Sequence, residues 1–444
     1  MRQRFLGCLW MLPLACVFSL AETVKDREGA VRDDRAKMES SERWIYNDYE
    51  KGFQEAKRTG KPLLVTLRCV PCLACAGIDA QILIEDPSLT KLLDQFVCVR
   101  VINANSLDLS LFQFDPDLSF STLFFAGDGT VLGRFGSWQH QNDAQERSTE
   151  EFKGALQSAL KLFSELEHHR SALQGKQPKP FPYKRAVNMP ALAGRYNVEL
   201  DWQGKVVQSC VHCHQIGDAV RTQKRTQPEG ITEQWIYPYP DPQTVGLLIR
   251  VTDSVTIAAV SPDSLAAKTG FEQGDTLLAI NDQPLISTAD ISWILHQAKD
   301  GDAMTATVSK RPDSAPQTLR WTMPSKWRHH ADIARRVGTW DMRRMALGGM
   351  KLRDLSDQER QRHGIAKNKL ALLAEHVGQY GKHAVAKKAG LVKGDIITEI
   401  DGRSERLTES QLIGQLILAH PPGESISLEL KRGDSRRRLN YQVQ

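Results

Sequence analysis

The stretch Ala266-Ala267-Lys268-Thr269-Gly270-Phe271-Glu272-Gln273-Gly274-Asp275-Thr276-Leu277-Leu278-Ala279-Ile280 returns without a gap as Ala386-Lys387-Lys388-Ala389-Gly390-Leu391-Val392-Lys393-Gly394-Asp395-Ile396-Ile397-Thr398-Glu399-Ile400. Two copies of one module therefore fill the C-terminal part of the chain. Their expected bounds are 243–323 and 345–444. Between them 324–344 is basic, with Arg335-Arg336 and Arg343-Arg344, and reads as a solvated linker.

Outward from the repeats, the prolines of Tyr237-Pro238-Tyr239-Pro240-Asp241-Pro242 close a segment, 190–242, that is marginal for folding alone without a metal, cofactor or disulfide. It carries Cys210-Val211-His212-Cys213-His214. The stretch from Lys176 to Pro182 makes 169–189 a second proline-rich break. Before it, 44–168 reads as one α/β domain. Trp44, Ile45, Tyr49, Phe53 and Ala56 recur at helical spacing, and Lys61-Pro62 introduces the buried strand Leu63-Leu64-Val65-Thr66-Leu67. A second strand runs from Phe96 to Ile102, and a Gly127-Asp128-Gly129 turn joins two hairpin strands. Phe152, Leu156, Ala159 and Phe163 share one face of a closing helix.

The residues 22–43 are charged and aperiodic, as expected of a solvated tether. The basic start Met1-Arg2-Gln3-Arg4, the apolar run from Phe5 to Leu20 and the small residues at Ser19-Leu20-Ala21 read as a secretory signal over 1–21, so a periplasmic or secreted location is expected, the segment otherwise serving as an anchor. The 444 residues suit three or four domains. Lys and Arg number 58 against 53 Asp and Glu, a net charge of +5 that gives little electrostatic basis for binding nucleic acid.

The chemistry concentrates in cysteines. Cys69, Cys72 and Cys75 follow the strand that ends at Leu67, while Cys98 lies within a strand and reads as an inert buried thiol. Cys210, Cys213 and His214 make the C-x-x-C-H pattern of covalent c-type haem, with His214 beneath the iron; a Cys210–Cys213 disulfide or a zinc site with His212 or His214 are the other readings. No methionine occurs from Ala191 to Pro242, so a distal Met ligand would come from Met189 or elsewhere.

The run from Gly60 to Cys75 resembles the active-site entry of thioredoxin-like proteins. Ten residues beyond Pro62, the resemblance makes Cys72 the attacking thiol and Cys75 the resolving one, with Cys69 an extra upstream thiol. Pro71 replaces the usual tryptophan, and Ser121 stands where the substrate-groove proline is usual. The two repeats resemble PDZ domains of the bacterial exported type. Val245-Gly246-Leu247-Leu248 and Leu347-Gly348-Gly349-Met350 match the loop that cradles a peptide carboxylate. The fold class expected is thus multidomain: an α/β thioredoxin-like domain followed by two mainly-β PDZ domains. No G-x-S-x-G occurs, and protease activity is not expected. The whole order resembles a family of bacterial exported thioredoxin/PDZ proteins, some with selenocysteine in the redox motif. That resemblance implies thiol–disulfide or electron-transfer chemistry at Cys72 and Cys75, with protein partners held through the PDZ domains. A non-catalytic adaptor and a haem-bearing electron carrier are the alternatives.

Overall fold

A computed structural model describes residues 26–70, 87–136, 147–250, 252–253, 255–310 and 314–444. The expected signal segment, Cys72 and Cys75 lie outside the described residues.

Five strands, β1 (Trp44–Tyr46), β2 (Leu63–Arg68), β3 (Val97–Val101), β4 (Phe120–Phe125) and β5 (Val131–Phe135), form a sheet in the order β1-β3-β2-β4-β5. β1 and β2 run parallel to β3, and β4 and β5 complete the sheet antiparallel. Every residue of β2 to β5 is buried, as in a sheet covered on both faces. On one face Leu64, Cys98 and Phe124 pack with Phe152 and Leu156 of α4 (Arg147–Ser164). On the other, Leu63, Val65 and Phe125 share a cluster with Ala56 of α2 (Tyr49–Thr59) and with Val211, Ile216 and Val220 of the Cys-rich segment. That segment is therefore a layer of the first domain. The short α3 (Pro87–Leu93) contributes Leu89 and Leu93 to the first face.

The helical spacing expected from Trp44 is corrected at its start. Trp44 to Tyr46 pair with Cys98 to Arg100, and the helix begins only after Asp48, whose side chain accepts the Lys51 N–H at 2.9 Å. A cap of this kind fixes the helix start, and the free edge of β3 recruits the residues before it. The expected tether is corrected too: Arg27–Glu39 form α1, with Val31 and Met38 buried. Its charge is structural, because Asp34 is the ion-pair partner of buried Arg100.

The proline-rich break 169–189 folds as tight turns with Leu173 and Lys176 buried. Lys176 Nζ lies 2.7 Å from Asp290 Oδ2, with both side chains fully buried, so this break bolts the first repeat to the sheet domain. The basic linker 324–344 is solvated only in part: Lys326 and Arg335 are exposed, but three of its arginines are buried. Arg336 bonds Asp115 and Asp117 of the first domain, Arg328 donates to the carbonyls of Leu295, His296 and Ala298, and Arg343 pairs with Glu409. Each buried guanidinium thus meets a carboxylate or a set of helix-end carbonyls, which is what makes its burial tolerable.

The Cys-rich segment contributes α5 (Cys213–Arg225). In the first repeat β6 (Leu247–Ile249) pairs with β7 (Ile257–Val260), and β8 (Thr276–Ile280), β9 (Gln283–Pro284), β10 (Ala303–Ser309) and β11 (Gln317–Thr322) form a sheet beside α6 (Thr288–Gln297). α7 (Thr339–Leu347) leads into the second repeat, where β12 (Met350–Asp354), β13 (Leu372–Val377), β14 (Ile396–Ile400), β15 (Ser425–Arg432) and β16 (Ser435–Gln442) make one sheet beside α8 (Glu409–Ala419). The repeated G-x-x-x-G-D has one physical meaning in both. Gly274 and Gly394 take φ of +92° and +94°, which favours glycine. The buried Asp275 and Asp395 each accept a loop N–H at 3.0 Å, from Glu272 and Val392, and each pairs with a cation, Lys310 or Arg432. Among the described residues no helix is long and apolar enough to cross a membrane.

Candidate functional site

β2 delivers Cys69 to the end of the sheet, where its N–H donates to Ser119 O at 2.9 Å. Beside it β4 places Ser121 opposite Leu67, buried, its hydroxyl without a hydrogen-bond partner among the described residues. Against this end lies the Cys-rich segment. Cys69 Sγ is 3.2 Å from His212 Nδ1, and Cys69, Cys210, His212 and Cys213 line one cavity of about 20 Å³ walled by Val31, Leu67, Ile102 and Val206. His212 caps the start of α5, its N–H held by Gln215 Oε1 at 2.8 Å, so Cys213 and His214 occupy the first turn. Asn105, fully buried, fixes the backbone on either side of Cys210: it donates to Ser209 O at 2.8 Å and accepts from Val211 N at 2.6 Å.

Burial sets the electrostatics. It pushes the Cys210 thiol up to about 12, helped by nearby Cys69, and depresses His212 to about 4, with the neighbouring His214 adding to the fall. His214 is lowered for the same first reason. Cys98, deep in the sheet and pushed up to about 12 by burial, packs as an apolar residue.

The C-x-x-C-H residues sit together, with Cys210 a thiol and not joined to Cys213. Among the described residues no group of three or more His, Cys, Asp or Glu is placed to hold a metal ion. The contact between Cys69 and the insert escaped the sequence reading, because nothing in local spacing joins residues so far apart; the surplus cysteine ahead of Cys72 was the one available signal.

The expected carboxylate loops open the two repeats, one residue out of step. Gly246 O accepts from Ser261 N and Gly349 O accepts from Gly378 N, so Gly246 matches Gly349 and Leu247 matches Met350. In the first repeat those bonds place Leu247 and Ile249 at non-bonded positions toward β7, with their N–H groups turned to the outer edge of β6. No described group bonds them there. In the second, Leu347 ends α7 and both Gly348 and Gly349 donate to Arg343 O as its cap. Leu352 N–H, outward on β12, is taken by Glu409 Oε1 at 2.6 Å, and Glu409 is held by Arg343 at 2.5 Å.

Comparison with known proteins agrees with this architecture in part. Residues 44–127 match the thioredoxin-like family and 256–308 match the PDZ domain. The chain carries a thioredoxin-like domain and a PDZ domain that supports peptide or protein binding. A probable periplasmic serine endoprotease DegP-like of Pseudomonas savastanoi pv. phaseolicola is 27% identical over 183 residues, 40% of this chain and 34% of that protein. Its namesake from Marinomonas sp. is 23% identical over 181 residues, 41% and 35% of the two chains. The chain therefore spans about a third of the length of these curated relatives. The solved HtrA-type protease AlgW with decapeptide overlaps 43% of this chain and 53% of its own at 16% identity and a TM-score of 0.22.

Proposed function

We propose that the protein is an exported thiol–disulfide exchange protein whose thioredoxin-like domain acts on partners recruited through its repeats, both of them PDZ domains. The observation that carries this reading is the gathering of Cys69, Cys210, Cys213 and His212 at the end of β2, the strand that leads into Cys72 and Cys75. Cys72 attacks a partner disulfide and Cys75 resolves the mixed disulfide, so the partner leaves reduced and the Cys72–Cys75 pair leaves oxidised. The β6 edge takes a partner's terminus as an added strand. The periplasmic relatives favour export.

The test is disulfide reduction with a thiol donor present, using wild type, Cys72→Ser and Cys75→Ser. Reduction lost in Cys72→Ser and a trapped mixed disulfide in Cys75→Ser are expected. Full activity in Cys72→Ser sinks the assignment. The open β6 edge also favours a second reading, a non-catalytic adaptor. In that case all three proteins are inactive and Cys72 resists alkylation until the domain unfolds.

A further inference from the structure

We propose that Cys69 and Cys210 form an intramolecular thiol–disulfide couple, so that the insert supplies the second half of a redox site shared with the thioredoxin-like domain. The proposal rests on the thiol-exchange reading above and assigns that chemistry a further pair of sulfurs.

Three observations converge on the pair. The two cysteines come from elements far apart in sequence yet line one cavity of about 20 Å³, room for about one water. The Cys69 sulfur is oriented by His212 Nδ1 at 3.2 Å, a residue from the same turn as Cys210. The backbone around Cys210 is clamped on both sides by one buried side chain, Asn105, which reaches Asn197 O as well, at 2.7 Å. A buried amide with all these bonds directed at one short segment is costly to provide unless the position of that segment matters. α1 closes the assembly from outside: Arg32 donates to Gly204 O at 2.6 Å and Glu28 accepts from Val207 N at 3.2 Å.

The exchange needs a disulfide as oxidant. Cys69 attacks a partner disulfide R–S–S–R′, forming Cys69–S–S–R; R′–S⁻ departs and takes up the proton lost by Cys69. Cys210 then attacks the Cys69 sulfur, forming Cys69–S–S–Cys210, and R–S⁻ departs with the Cys210 proton. Two protein thiols are oxidised and one disulfide is reduced to two thiols, so electrons and protons balance.

The experiment uses the full chain carrying Cys72→Ser and Cys75→Ser, which removes the motif pair and leaves this one. It is incubated with oxidised glutathione, alkylated, digested without reductant and mapped by mass spectrometry. A Cys69–Cys210 linked peptide is expected as the main product, absent when Cys69→Ser or Cys210→Ser is added. Asn105→Ala should lower its yield at least tenfold while leaving glutathione on Cys69, which separates positioning from loss of the thiol; a melting curve confirms that each variant is folded. Glutathione left on Cys69 without the link, a Cys210–Cys213 disulfide as the sole product, or Cys210 recovered as a haem thioether would overturn the proposal. Because Cys72 is absent from this assay, failure here leaves the exchange reading standing, and loss of that reading in the reduction assay leaves the link to be judged alone.

Discussion

The two repeats build their shared turn with the same atoms and then treat the edge of their first strand in opposite ways. In the first, β6 leaves the Leu247 and Ile249 N–H groups facing outward, and the free helix end is used elsewhere: Asp290 in the first turn of α6 enters the buried ion pair with Lys176 and accepts the Arg134 N–H at 3.1 Å. In the second, the residue after the helix cap is Glu409, whose carboxylate turns inward to Leu352 N–H and Arg343. The first repeat has Thr288 there, with no carboxylate to offer. One module thus docks through its helix and leaves both outward N–H groups of its first strand free, while the other takes up the Leu352 N–H of that edge with its own Glu409. The difference teaches that a repeated motif fixes turn geometry and says little about whether a binding edge is available.

The sharpest way to break this contrast is Glu409→Ala. It strands the Arg343 guanidinium, 1% exposed, and leaves Leu352 N–H without its acceptor. Removing one partner of a buried ion pair costs about 3–5 kcal/mol. Denaturant unfolding followed at the second repeat should show that loss; a change under about 1 kcal/mol would mean that solvent already reaches the pair. The corresponding Thr288→Ala in the first repeat removes no such ion pair and should fall well below it.

That asymmetry was invisible in the sequence, and the reason is general. Gly274-Asp275 and Gly394-Asp395 could be read because a positive φ and a turn-capping carboxylate impose residue types at fixed spacing. The run Leu63 to Leu67 could be read because a strand covered on both faces is continuously apolar. Arg336 with Asp115, Lys176 with Asp290 and Cys69 with His212 join distant residues one at a time, and a single long-range polar contact leaves no period. Charged runs were accordingly read as solvated where the fold buries them. Of the site, the residues Cys69, Cys210, Cys213 and His214 were legible one by one, but not that the fold brings Cys69 against the Cys-rich segment; Cys72 and Cys75 lie outside the described residues.

Acid offers a second and smaller handle. His296 of the first repeat is buried, stacked on Tyr239 at 4.2 Å between ring centroids, and accepts the Tyr239 N–H. Burial holds it well below its ordinary value, and the surrounding guanidiniums of Arg328, Arg336 and Arg134 act in the same direction. The unfolded chain therefore binds this proton more readily than the folded one, so the stabilisation is complete above about pH 6.5 and is lost as pH falls below it. The first repeat should therefore lose stability progressively as the pH falls from 6.5 to 5. The histidines of the second repeat are exposed or half-buried. Chemical denaturation at the two pH values, with His296→Gln as the control that flattens the difference, checks the effect; equal acid loss in wild type and variant would remove His296 as its cause.

The smallest effect bears most directly on partner binding. An outward N–H with no partner exchanges its hydrogen through small local openings, whereas Leu352 N–H must first break its bond to Glu409, and a difference of about 1.4 kcal/mol is tenfold in exchange. Hydrogen exchange should thus run about tenfold faster at the Leu247 and Ile249 amides than at the Leu352 amide. A peptide with an apolar C-terminus should then slow the Leu247 and Ile249 amides and leave that of Leu352 unchanged, because strand addition needs N–H groups that are not already bonded. In Glu409→Ala, folded at low temperature, the Leu352 amide should begin to respond to the same peptide. Protection at both edges in the wild type would show that Glu409 yields to a ligand, and the second edge would then be a latch and not a plug. Protection of neither would turn the first repeat into a docking module and nothing more, since its helix already meets the thioredoxin-like domain through Asp290.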